Sequence, residues 1–162
     1  MYNTNFVNSG LITGTQWDVM ITKIASATSK SLISSGTWEN CYDNSISYTG
    51  RMSTYNTSNS TLGTFGSKAI GKTTTNVYNL LTTGASEIAK AYNLYDVAGN
   101  MWEWTEEASY FGGRTSSTQY QLFRGGSCGS ISSSLPACYR NAICSVSRTD
   151  FDVGFRVVLY IK

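Results

Sequence analysis

Chemistry in this chain has to be done without histidine. None occurs among the 162 residues, which removes His-based triads, imidazole general bases and the common His-containing zinc sites. The reactive types that remain are four cysteines, at positions 41, 128, 138 and 144, with a thin set of acids and tyrosines. No Cys-x-x-Cys pair occurs, so neither a thioredoxin-like redox motif nor a zinc ribbon is indicated. The thiols are either free or joined in one of the alternative pairings that a set of four allows.

One carboxylate stands out. Glu103 lies between Trp102 and Trp104, directly behind the turn-forming pair Gly99-Asn100. Indoles go into cores, and an acid held between them must find a partner, stay solvated or change its pKa. Asp96 precedes the same turn. Arg124 and Arg156 each sit in a Gly-flanked run. Both read as structural, with the stem on an aromatic and the guanidinium on backbone carbonyls or a carboxylate.

The elements that must position these residues are mostly irregular. The size fits a single domain spanning 1–162 with a real core. Net charge is +2, only 14% of residues are charged, and no basic stripe appears, which excludes the electrostatic footprint of a nucleic-acid binder. The longest apolar run, Val157 to Ile161, is far too short to span a bilayer, and the N-terminus lacks a secretory pattern. Trp17, Met20, Ile21 and Ile24 have helical spacing, and Thr15 with Asp18 resembles a capping box. A short helical turn is expected between Ser86, as N-cap, and Tyr92. Residues 43–79, rich in Ser, Thr, Asn and Gly, predict long loops around short strands. "MWEWT", "YQLFRGG" and "GFRVVLYI" predict strands. The sum is α+β with one main helix and much loop, in which loops would carry function.

Four segments occur in an order that resembles a known family. They are "NLYDVAGNMWEWTEE" (93–107), "FRGGS" (123–127), "ACYR" (137–140) and "VGFRV" (153–157). The chain is similar to the formylglycine-generating enzyme (sulfatase-modifying factor) family, and the "TGTQWDVM" helix and "WENCYDN" (38–44) resemble further family segments. The resemblance implies a variant of the C-type lectin fold, here without the part that usually precedes the helix. It also implies structural Ca²⁺, with carboxylate oxygens from Asp96 and Glu103 and backbone carbonyls from Gly99 and Met101. That ion takes about six to eight hard oxygen ligands, which suits such a set with water completing the shell.

Catalytic members oxidise a substrate cysteine with O₂ at Cu(I) held by paired thiolates, which suit this soft ion. Cys138-Tyr139-Arg140 matches the second of those cysteines. Cys128 stands ten residues earlier, a wider gap than the family's, and positions 129 and 130 hold Gly and Ser where the first cysteine is expected. Cys128 and Cys138 are therefore the alternative, copper-dependent reading. The favoured one is non-catalytic. The chain resembles the variable proteins of diversity-generating retroelements, which keep the scaffold motifs and vary the C-terminal segment. That implies a ligand-binding face made of Ser130, Asn141, Ile143, Ser145, Ser147, Arg148, Thr149 and Phe151, exposed on one side. The ligand would be a protein or surface glycan, met from a bacterial surface, a secreted location or a phage particle.

Overall fold

The computed structural model describes residues 6–33, 35–67, 69–109, 120–142 and 150–161. Its one helix among these, α1 (Gly14–Ala27), begins where the Thr13 hydroxyl accepts a hydrogen bond from the Gln16 amide while the Gln16 side-chain oxygen accepts one from the Thr13 amide. The capping box is thus Thr13/Gln16, not Thr15/Asp18. The register is set by burial: Trp17, Ile21 and Ile24 all point into the core, and starting later would leave the first turn's amides uncapped.

Short strands surround this helix. β1 (Val7–Leu11) precedes it; β2 (Ser47–Tyr48), β3 (Met52–Asn56), β4 (Thr61–Leu62), β5 (Gly71–Lys72) and β6 (Asn79–Leu81) follow within the polar stretch. Then come β7 (Lys90–Ala91), β8 (Leu94–Tyr95), β9 (Trp102–Ser109), β10 (Tyr120–Arg124), β11 (Val153–Phe155) and β12 (Val157–Ile161). Among the described residues this is an α+β architecture. No helix turn forms after Ser86. Its hydroxyl donates to the Ser47 carbonyl at 2.5 Å, and Glu87 to Ala89 form a turn into β7.

Two pairings frame the rest. β9 is the centre of a three-stranded sheet, antiparallel to β10 and parallel to β11, and β12 pairs antiparallel with β1. The run "GFRVVLYI" is therefore two strands in two sheets, and Arg156 sits at the break. The main core gathers Ile12, Trp17, Ile21, Ile24, Trp38 and Val97. The Trp17 indole donates to the Ala137 carbonyl, which ties the helix to the C-terminal half. Trp102 and Phe123 form a second cluster across β9 and β10, with Trp104 edge-on to Phe123. No helix among the described residues is long and apolar enough to cross a membrane.

Candidate functional site

The turn before β9 is forced by its own backbone. Asp96, Gly99 and Asn100 all have positive φ, at 55°, 73° and 66°. A Cβ on Gly99 would run into the Asn40 backbone, so only glycine fits. Asn100 then turns its side chain inward, accepting from the Leu81 amide and donating to the Leu81 carbonyl, as a neighbouring strand would. This arrangement brings Asp96 and Glu103, respectively 6% and 7% exposed, to one surface cavity of about 320 Å³ that Arg156 also lines.

Arg156 holds both oxygens of Glu103. Its Nε donates to Oε2 at 2.9 Å and its Nη2 to Oε1 at 2.5 Å, while Nη2 also donates to the Tyr95 carbonyl at 2.9 Å. Burial pushes the Glu103 carboxyl above its usual range, and the guanidinium pulls against that shift. Asp96 is raised by burial too, opposed by the Gly84 amide at 3.0 Å and by the Arg156 charge.

The calcium set can be tested against this geometry. Glu103 has both oxygens in a bidentate pair, Asp96 Oδ2 accepts from Gly84, and the Gly99 carbonyl accepts from the Met101 amide at 2.8 Å. Asp96 and Glu103 are brought together as the resemblance implies. In this arrangement, however, Glu103 does not fit a Ca²⁺ ion, because a guanidinium already stands against both of its oxygens.

The C-terminal segment is fastened at its start by a second arginine. The Arg124 side chain is 1% exposed. It donates to the Cys138 carbonyl at 2.7 Å and the Tyr139 carbonyl at 3.4 Å, pairs with Asp18, and faces Glu107 at 3.5 Å. Gly125 and Gly126 follow with φ of 92° and 79°. Ser127 donates to Asp152 Oδ2 at 2.6 Å, and its amide donates to the Ser130 hydroxyl at 2.8 Å.

Ser130 is accordingly not on an exposed face. It is 2% exposed, because its hydroxyl closes the turn behind the two glycines. Asn141 is half-buried, its backbone bridging Phe123 in both directions at 3.0 Å. Phe151 is also half-buried, stacked on Tyr55 with ring centroids 3.6 Å apart and Tyr78 edge-on to both. It is a packed ring at the end of the segment, not a free apolar anchor. Ile143, Ser145, Ser147, Arg148 and Thr149 lie outside the described residues.

Cys41, Cys128 and Cys138 are free thiols, and Cys144 lies outside the described residues. Cys128 is fully buried, and burial beside the Asp152 charge pushes its thiol up to about 12. A thiol so raised supplies little thiolate for Cu(I) or for redox chemistry.

Two features escaped the sequence reading. Glu39 is completely buried, and burial raises its carboxyl to about 7 against the Ser35 hydroxyl bond of 2.5 Å. The only available signal was its place behind Trp38, the same pattern as Trp102-Glu103. The cluster of Tyr42, Tyr55, Tyr78 and Phe151 was also missed, since its rings come from four separated loops and strands.

These features define an α+β domain whose motifs are wired by the buried Arg124 and the half-buried Arg156. The match to the Sulfatase-modifying factor enzyme 1-like domain covers residues 22–161. The chain belongs to that family. No curated protein and no solved structure matches it.

Proposed function

We propose that this chain is a non-catalytic recognition domain of C-type lectin-like architecture. It is of the kind carried by variable proteins of diversity-generating retroelements, and it displays its C-terminal segment to a protein or surface glycan. The observation that carries the reading is how the segment is attached. Arg124 grips the carbonyls of Cys138 and Tyr139, not their side chains. The Cys128 amide donates to the Asn100 carbonyl and the Asp152 carbonyl accepts from Trp102. Asn141 pairs with Phe123 through backbone alone. Such bonds are indifferent to side-chain identity, so residues between them can change without loosening the frame. The half-buried Tyr42, Tyr55 and Tyr78 beside Phe151 add rigid amphipathic rings, of the type adaptable binding surfaces use. The fully buried, high-pKa Cys128 supports the same reading over copper-dependent oxidation. Display on a bacterial surface or phage particle is the setting such a domain suits.

A library randomised at Asn141, Ile143, Ser145, Ser147, Arg148 and Thr149 tests this. Most members should fold with near-parental melting temperatures, and panning against a chosen test protein should enrich binders. A library in which most members fail to fold removes the basis of the proposal.

A further inference from the structure

We propose that Arg156 serves in this chain as the resident cation of the Asp96–Glu103 pair, so that the fold closes without a metal ion there and a divalent-cation site emerges only when that guanidinium is removed. The geometry supplies the reasons. A carboxylate engaged through both oxygens by a planar guanidinium, at 2.9 and 2.5 Å, has a positive charge on the face where a bidentate metal would approach. The third donor bond, to the Tyr95 carbonyl at 2.9 Å, joins the loop before the turn to the same group. One side chain therefore draws together β8, β9 and the break between β11 and β12, which is the tie an ion would provide. A buried carboxylate that stays charged needs nearby positive charge, and Arg156 lines the same cavity as both Glu103 and Asp96.

What remains around the guanidinium would suit a hard cation. Without it, two carboxylates of 6% and 7% exposure face a cavity of about 320 Å³ that opens to solvent. Asn100 holds the intervening turn by three hydrogen bonds, to Leu81 and Asn40, that do not involve Arg156, so the turn keeps its shape. Uncompensated carboxylates in that pocket would recruit Ca²⁺ from solution, with water completing the shell. The consequence for the native chain is independence from calcium: the C-terminal strands stay docked in chelating or calcium-poor surroundings.

Thermal melting with the full chain decides the matter, using Ca²⁺ alone as the probe. Wild-type protein should melt within about 1 °C in EDTA and in millimolar Ca²⁺. Arg156→Met should melt lower in EDTA and recover about 5 °C or more in Ca²⁺, since an ion bound only to the folded state stabilises it by mass action. Adding Glu103→Gln to that variant should abolish the recovery. A variant unfolded in EDTA but folded in Ca²⁺ also supports the proposal. It is overturned if wild-type melting rises with Ca²⁺, or if Arg156→Met is folded but indifferent to Ca²⁺. It is equally overturned if that variant stays unfolded in both buffers.

Discussion

Glu39 and Glu103 each follow a tryptophan, each is buried, and the fold treats them in opposite ways. Their two segments even touch: the Asn100 amide donates to the Asn40 carbonyl, and Asn40 bridges Gly99. Yet Glu103 meets a guanidinium with both oxygens. Glu39 meets one hydroxyl from Ser35, leaves Oε1 without a partner and lies near Asp43. The first acid is set against a positive charge and used as a tie between strands. The second is best accommodated as a neutral acid, a hydrogen-bonding residue of the core. Burial alone therefore does not say what an acid does; the partner does.

Breaking the first acid should have the largest effect. Glu103→Ala leaves the half-buried Arg156 without its carboxylate; breaking a fully buried pair costs about 3–5 kcal/mol, and this one should approach the lower end. Urea unfolding reads this directly. The double change Glu103→Leu with Arg156→Met should recover most of it, since an apolar pair of similar volume replaces a buried ion pair at little cost. A loss below about 1 kcal/mol for Glu103→Ala would mean that the pair contributes little.

Glu39 should show the opposite behaviour, through pH. Its folded pKa, about 7, lies above the ordinary 4.5, so the folded state holds the proton more tightly than the unfolded one. The stabilisation is fully present below about pH 4.5, fades as pH rises through 7, and amounts to about 3 kcal/mol across that window. Glu39→Gln should flatten this slope and be the more stable protein at pH 8. Equal slopes for the two proteins would place the titration elsewhere.

The contrast also explains what the sequence made legible. Glu103 announced itself because two indoles and a Gly-Asn turn surround it within a few residues, and Arg124 and Arg156 because Gly flanks them. Their structural roles were readable in kind: carbonyls and carboxylates. The pairing of Arg156 with Glu103 was not, since it joins positions far apart in sequence and no local pattern encodes it. The helix was readable from the spacing of Trp17, Ile21 and Ile24, but its cap was placed two residues late, because both Thr13 and Thr15 precede a polar residue at the right distance. Ser130 misled for a related reason. A serine in a Gly/Ser run reads as a loop surface, and only the fold reveals that its hydroxyl closes the turn on Ser127.

That correction has its own test. Ser130→Ala strands the Ser127 amide in a buried setting and should cost about 1–3 kcal/mol, more than a surface serine would. Cys128 should react with a thiol-labelling reagent only as the protein unfolds, because its thiol is buried and raised to about 12. Rapid labelling of Cys128 in the native protein, or tight Cu(I) binding lost in both Cys128→Ser and Cys138→Ser, would restore the oxidase reading.

The smallest effects should come from the stretch proposed to carry binding. Between the Asn141 backbone pair and the packed ring of Phe151, the proposed binding positions are Ile143, Ser145, Ser147, Arg148 and Thr149. Side chains away from cores, caps and ion pairs shift stability by under about 0.5 kcal/mol, and a display surface needs this tolerance. Single alanine changes there should leave the unfolding midpoint nearly unmoved while altering capture of any ligand obtained by panning. Binding energy concentrates in aromatic and Arg contacts, so Arg148→Ala should weaken capture more than Ser145→Ala or Ser147→Ala. The same substitutions made at Ser127, Ser130 or Phe151 should do the reverse, costing stability first. If alanines at 143–149 destabilise as much as those three, the segment is core and not display, and the recognition reading fails with it.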